Sequence, residues 1–293
     1  MQKSISVIIV TYQSRDDIEA CLSSLMDASQ GQADIHVVDN ASRDGTAAYI
    51  KRHYPQVRLQ ENQDNRGFGA ANNQALRHCD PALPYVLFLN PDTSIRQSAL
   101  PRLMAFMEAH PKVGMAGPKI LNVDGSVQDS VSYRYPGHRF AQGQTDHLPG
   151  KIASILGACM ITRLELMTEL GGFDEDFFLY GEDQDLCLRV RSRGLSIGYI
   201  DHAEVMHHGG KSEQGTGVAE LTAKKIRAEY LFYKKHYSEE VIRRIFRYHY
   251  RRAWWRTRIY RVPLPTAAQN NKRQKKLQTY LAIRAELEKM EWF

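Results

Sequence analysis

Over the first hundred residues, short apolar runs alternate with stretches in which apolar side chains recur every three or four positions. Ile5–Val10 is an unbroken apolar run of strand length and predicts a fully buried first strand. Ser14, with Asp17 three residues on, has the form of a capping box, and Ile18, Leu22, Leu25 and Met26 follow at helical spacing. Ile35–Val38 predicts a second strand, and Ser42, Asp44 and Gly45 open a second helix. Val57–Leu59 reads as a third strand, Phe68 to Leu76 as a helix, Tyr85–Leu89 as a fourth strand and Ala99–Met107 as another helix. This alternation predicts an α/β fold, a parallel sheet with helices on its faces.

From Val113 to Thr162 the pattern becomes one of short strands with a turn at Asn122–Gly125. The polar, Gly- and Pro-containing stretch from Pro136 to Gly150 is long for a connection and is read as a binding or flexible loop. Asp183–Arg193 predicts a helix closed by Gly194, and Ile197–Ile200 a further strand. No internal repeat is visible. After about Lys224 the sequence turns helical, basic and aromatic, is interrupted at Pro263 and Pro265, and ends in an amphipathic helix over Gln274–Met290. The expected organisation is one α/β domain over residues 1–223 and a helical extension over 224–293.

Composition narrows the class. Of 293 residues, 43% are hydrophobic and 25% charged, which is ordinary for a globular chain and excludes disorder throughout. Cys21, Cys79, Cys159 and Cys187 form no C-x-x-C pair, so they are read as small buried hydrophobes in a reducing compartment. The N-terminal apolar run is too short for a signal segment, and no window approaches the roughly 18 apolar residues of a membrane span. A cytoplasmic protein, soluble or peripheral on the inner face of the membrane, is expected. The net charge of +6 is unevenly distributed: Lys224 to Phe293 carries 19 Lys and Arg against 6 Glu, the preceding 223 residues 20 against 27 acids. An acidic body with a strongly basic tail implies two jobs in one chain.

Four clusters carry candidate chemistry. Asp39, in Val38–Asp39–Asn40–Ala41–Ser42, stands at a strand's carboxyl end, where α/β sheets hold ligands; there it can accept from a base or ribose, or cap the next helix. Asn65–Arg66–Gly67–Phe68–Gly69–Ala70–Ala71–Asn72–Asn73 has small residues that admit a ligand to a helix N-terminus, although a plain turn has the same composition. Asn90–Pro91–Asp92 follows an apolar strand, where Asp92 can hold a hard divalent cation against a diphosphate or form an Asx–Pro turn. Gly171–Gly172–Phe173–Asp174 precedes Glu182–Asp183–Gln184–Asp185, three acids at a helix start that either complement the dipole or line a pocket.

In this order the clusters resemble inverting glycosyltransferase family 2, with the GT-A fold (a Rossmann-like mixed sheet flanked by helices), and within it the rhamnosyltransferase-like branch that builds bacterial surface polysaccharides. The resemblance covers roughly residues 4 to 215. It implies that Thr11 and Tyr12 line the nucleotide base and that Asp39 reads the pyrimidine, with Asn65, Gly67, Phe68, Asn72, Asn90 and Asp92 completing the nucleotide-sugar site. Asn90–Pro91–Asp92 stands where the family has D-x-D; with Asn at the first position, Asp92 is left as the metal ligand. Glu182–Asp183 is similar to the family's x-E-D, in which Asp183 is the catalytic base, while Gly171, Gly172 and Glu182 shape the donor and acceptor pocket. His207 resembles the histidine that completes the metal site, and His208 is the adjacent alternative. The implied cofactor is Mn2+ or Mg2+, the donor a nucleotide diphosphate sugar, and the acceptor a glycan or lipid-linked glycan.

Rival classes fare worse. A dinucleotide oxidoreductase needs glycines after the first strand, where this chain has Thr11–Tyr12–Gln13–Ser14–Arg15. Gly210–Lys211–Ser212 mimics the end of a phosphate-binding loop, but Val205 stands where its first glycine is required. Two alternatives keep the fold: a non-catalytic nucleotide-sugar-binding protein and a sugar nucleotidyltransferase. In the tail, Arg243 to Arg256 interleaves arginine with aromatics, which suits an anionic membrane interface, nucleic acid, or a packed helical cap. The lipid-linked acceptor that the resemblance implies favours the membrane, and no nucleic acid is expected.

Overall fold

A computed structural model describes residues 3–209, 216–262 and 267–290. It divides into two compact units, one of Met1–Tyr135 with Leu148–Ser212, the other of Pro136–His147 with Glu213–Phe293.

The first unit begins β1 (Ile5–Thr11), α1 (Ile18–Ser29), β2 (Ala33–Asp39), α2 (Thr46–His53), β3 (Arg58–Glu61), α3 (Phe68–Leu76) and β4 (Tyr85–Leu89). It continues with β5 (Thr93–Ile95), α4 (Ala99–Ala109), β6 (Val113–Leu121), β7 (Val131–Ser132), β8 (Ser154–Ile155), β9 (Cys159–Arg163), α5 (Leu164–Glu169), α6 (Glu182–Ser192) and β10 (Ser196–His207). An eight-stranded sheet runs in the order β3-β2-β1-β4-β9-β6-β10-β5, and β7 and β8 form a separate ribbon. From β3 to β4 the pairings are parallel, β9 runs antiparallel to both its neighbours, and β5 is antiparallel to β10. The sheet is therefore mixed.

β1 and β2 are buried at every position, as strands covered on both faces must be. One face packs on Ile18, Leu22 and Leu25 of α1, Ile50 of α2 and Leu100, Leu103 and Met107 of α4. The other packs on Ala71 and Ala75 of α3, Leu166 and Met167 of α5 and Leu186 and Val190 of α6. All four cysteines are buried and unbridged.

Several features differ from the expectation. The Ser14 hydroxyl bonds the Tyr12 backbone instead of capping α1, which begins at Ile18 with no side-chain cap. β10 runs on past Ile200 to His207 because its pairing with β6 slips between Ile200 and Glu204, and the bulge carries the polar Asp201–His202 that hid the strand's period. Of the Pro136–Gly150 stretch, expected to be a binding or flexible loop, Pro136–His147 belongs to the second unit.

The second unit contains α7 (Val218–His236), α8 (Glu239–Arg261) and α9 (Ala267–Glu288). Its core holds Tyr230, Phe232, Tyr233 and Phe246. The Tyr237 hydroxyl donates to the Pro136 carbonyl at 2.7 Å, and the Arg139 guanidinium lies 3.7 Å above the Tyr248 ring. α9 takes in most of the predicted last helix and starts earlier; Pro263 and Pro265 lie outside the described residues. No helix among the described residues is long and apolar enough to cross a membrane.

Candidate active site

The sheet order turns at β1, whose two parallel neighbours are β2 and β4. Ligands of open α/β sheets bind beyond the carboxyl ends of strands at such a point. The β1–β2 register sets Thr11 beside Asp39, and the Thr11 hydroxyl donates to Asp39 Oδ1 at 2.8 Å. The Ser42 N–H donates to Asp39 Oδ2 at 2.9 Å, so this buried carboxylate also holds the turn that leads into α2. Tyr12, next in the chain, is exposed.

Asn40, which the sequence reading passed over, organises the neighbouring loop. Its amide nitrogen donates to Asn65 Oδ1 and to the Gly67 carbonyl, and its Oδ1 accepts from Asn62 and from the Arg66 N–H. Gly67 has φ +84°, and a Cβ there would stand 2.5 Å from the Phe178 carbonyl oxygen. The Phe68 N–H donates to that same carbonyl, so the start of α3 is docked on the Phe177–Phe178 loop. Asn72 is buried and its amide returns to the Phe68 carbonyl within α3. Its neighbour Asn73 is also buried and bonds both the N–H and the carbonyl of Phe173. Two adjacent asparagines inside a helix, where asparagine is a poor helix former, were the available signal for this clamp.

Asp92 follows β4. The Asn90 N–H is held by the Ala158 carbonyl, and the Asn90 carbonyl accepts from the Thr93 hydroxyl, which fixes the turn carrying Asp92. β10 delivers His207, whose Nε2 lies 3.3 Å from Asp92 Oδ1. Burial pushes the Asp92 carboxyl up, but the hydrogen bond and charge of His207 outweigh it and hold it below the usual carboxylate range. Gln128 Oε1 sits 2.9 Å from His207 Nδ1. With Nδ1–H donating to Gln128, a neutral His207 turns its Nε2 lone pair toward a carboxylate, and two acceptors at that distance call for a proton or a cation between them. His208 points elsewhere: its Nδ1 lies 3.6 Å from Asp17 Oδ1. The geometry thus separates two adjacent histidines that spacing left open, and it adds Gln128, which no motif marked.

Among the described residues no three His, Cys, Asp or Glu side chains converge as a closed metal cage. Asp92 and His207 offer two donors. One carboxylate and one imidazole fit Mn2+, which tolerates a nitrogen ligand better than Mg2+ does, with the remaining ligands coming from water and substrate phosphates.

The third part of the site is the start of α6. Gly181 adopts φ +86° and turns the chain into the helix, so Glu182, Asp183 and Asp185 all fall in its first turn. Asp185 is buried against Arg189, whose Nε lies 2.7 Å from its Oδ2, and this pair ties down the helix. Asp183 is half-buried and accepts from the Gln184 N–H at 2.8 Å and the Gly157 N–H at 3.2 Å. Burial raises its carboxyl above the usual range, and these two N–H bonds partly offset that. Glu182 is 7% exposed, and burial with the charge of Asp183 pushes its carboxyl up to about 8. Gly171 and Gly172 terminate α5, with N–H bonds back to Thr168 and Met167. Neither Gly157 nor Ala158 was singled out from sequence, yet this dipeptide touches both Asp183 and Asn90.

Comparison with known proteins identifies the family. The glycosyl transferase family 2 model matches residues 6–171, and a model described as the N-terminal domain of galactosyltransferase matches residues 137–209. An N-acetylglucosaminyl-diphospho-decaprenol L-rhamnosyltransferase of Mycobacterium tuberculosis is 27% identical over 284 residues, covering 87% of this chain and 88% of its own. A mannosyltransferase from Pyrobaculum calidifontis, solved with GDP-Man and Mn2+, superposes with a TM-score of 0.62 at 18% identity over 99% of this chain and 89% of that one. Staphylococcus aureus TarS superposes with a TM-score of 0.53 at 20% identity over 75% of this chain, which spans only 38% of that chain. A family model spanning more than half of the chain, and a mixed sheet that matches solved GT-A enzymes, make this protein a glycosyltransferase of family 2.

Proposed function

We propose that this chain transfers a sugar, with inversion, from a nucleotide diphosphate donor to a hydroxyl of a glycan or lipid-linked glycan in bacterial surface polysaccharide synthesis. Residues 1–223 are the catalytic domain in this reading and 224–293 an extension that brings it to the cytoplasmic face of a membrane. The observation that carries it is the Gly157–Ala158 dipeptide, which bonds Asp183 through one residue and the Asn90–Asp92 turn through the next. A basic group and a diphosphate-side acid are thereby held on one short piece of backbone.

In this reading Asp183 removes the acceptor hydroxyl proton. Its raised carboxyl brings it nearer the working pH, where a general base is most effective. Thr11, Tyr12 and Asp39 receive the nucleotide base, and the loop organised by Asn40, with Asn65, Gly67 and Phe68, closes beside it. Asp92 and His207 would hold the divalent cation, Mn2+ or Mg2+, with Gln128 orienting the imidazole. When bound, the cation supplies charge neutralisation of the leaving diphosphate. The relatives' names support the substrate classes: one acts on an N-acetylglucosaminyl-diphospho-decaprenol, and a structural neighbour holds GDP-Man with Mn2+.

The test is a panel of nucleotide sugars screened by thermal shift with Mn2+ present, followed by product analysis with a polyprenyl-diphosphate glycan acceptor. Release of nucleoside diphosphate coupled to glycan elongation is expected. Pyrophosphate as the product identifies a nucleotidyltransferase instead, and donor binding with no turnover identifies a non-catalytic binding protein.

A further inference from the structure

We infer that the outward face of α8 is an interfacial membrane anchor for anionic lipid headgroups; this deepens the membrane part of the proposed function and rests on it. In the first half of α8 Val241, Ile242, Ile245 and Phe246 are buried, and in the second half Ala253 and Thr257. Opposite Ala253 and Thr257, Trp255 and Ile259 stand four residues apart on the C-terminal half of the helix, 58% and 48% exposed, and Val262, the extended residue that ends the helix, is 59% exposed. Each of these three large apolar side chains leaves about half of its surface to solvent.

The charge around that stripe is of one sign. Between Val241 and Val262 the sequence has eight arginines and no acid. Arg244, Arg251, Arg252 and Arg258 are exposed and lie within about 60° of the Trp255 direction at 100° per residue. The Arg258 guanidinium stacks 3.0 Å above the Trp254 ring, so that charge stays at the surface beside an indole. A tryptophan with two aliphatic residues in the middle and arginines at the rim matches the layered polarity of a headgroup boundary, where indole and guanidinium both partition well. Nucleic acid fits the arginines and the indole but gives Ile259 and Val262 nothing to bury against, since bases offer stacking faces and phosphates rather than hydrocarbon. Each basic residue near an anionic surface adds attraction that fades with salt, so the field and the apolar stripe act together.

Co-sedimentation of the full chain with phosphatidylglycerol/phosphatidylcholine vesicles, against phosphatidylcholine alone, tests this. Binding to the anionic vesicles, weaker in high salt, is expected. The pair Trp255→Ser with Ile259→Ser, and separately Arg251→Glu with Arg258→Glu, should each reduce partitioning by about tenfold or more. Because these positions are exposed, the thermal midpoint should hold, and a far-ultraviolet melt of each variant checks it. In a Trp254→Phe, Trp292→Phe background, the blue shift of the single remaining Trp255 on vesicle addition reports insertion directly. Equal partitioning of wild type and both variants overturns the proposal. So does single-stranded nucleic acid binding without vesicle binding, or a dimer that Trp255→Ser dissolves. Nucleoside diphosphate release with a water-soluble acceptor and no vesicles should be the same for all these variants. Loss of catalysis with intact vesicle binding would count against the proposed reaction and leave the anchor standing.

Discussion

The Gly157 N–H donates to Asp183 Oδ2 at 3.2 Å. The residue after it, Ala158, uses its carbonyl to hold the Asn90 N–H at 2.9 Å. The N–H of Gly157 therefore holds the acid at the start of α6, and the carbonyl of Ala158 holds the turn that carries Asp92. Gly157 has room for a methyl group, since a Cβ there would lie 3.6 Å from the Asp183 Cβ. What this position must supply is its N–H.

The metal reading makes the two histidines unequal. His207→Ala should abolish the Mn2+ dependence of donor binding, whereas His208→Ala, which loses the contact with Asp17 and only a weaker charge effect on Asp92, should keep it. Gln128→Ala should weaken metal-dependent donor binding about 10- to 100-fold, the usual cost of removing the partner that orients a ligating imidazole. Isothermal titration of the donor with and without Mn2+ distinguishes these. Equal losses in His207→Ala and His208→Ala would remove the distinction drawn here.

Glu182 predicts a pH dependence of stability. Its carboxyl sits at about 8 in the folded protein against an ordinary value of 4.5, because burial and the Asp183 charge both oppose ionisation. Between those values the unfolded chain has released a proton that the folded chain retains, so stability falls as pH rises through that window. Glu182→Gln should flatten the slope from about pH 5 to 8 and stabilise the protein most near pH 8. Thermal midpoints across that range check it; an unchanged slope would place the penalty on another group.

The Asn40 hub is a structural claim with its own test. Asn40→Ala strips four hydrogen bonds, to Asn62, Asn65, Arg66 and Gly67, although Asn62 keeps Gln74 and Asn65 keeps the Gly67 N–H. A loss of about 1–3 kcal/mol is expected. Gly67→Ala should destabilise the same loop, since its φ of +84° and the Phe178 carbonyl both oppose a side chain. Urea denaturation of both variants measures this, and a change below about 0.3 kcal/mol in Asn40→Ala would mean that the loop is held by other contacts.

Much of this was legible in the chain. The strands near the N-terminus are apolar at almost every position because both their faces are covered, and their ends announced Asp39 and Asp92. What was illegible depended on contacts distant in sequence. Gln128 is meaningful only beside His207, 79 residues later, and Gly157 only beside Asp183. β10 was shortened because its bulge places polar residues inside a strand. Asn40 was hidden because an asparagine after a strand looks like any turn residue, and only the fold shows that four partners converge on it.

Asp183 as the base is tested most directly by Asp183→Asn, because the amide keeps the shape and one of the two acceptors for the Gln184 and Gly157 N–H groups while losing basicity. Turnover and donor affinity should be measured together, with Glu182→Gln and Asp185→Asn beside it. The account predicts a fall in turnover of about 10²- to 10⁴-fold in Asp183→Asn with donor affinity little changed, since the donor is held by other residues. Near wild-type turnover in Asp183→Asn with collapse in Glu182→Gln would contradict it, as would an equal loss of donor binding in all three variants.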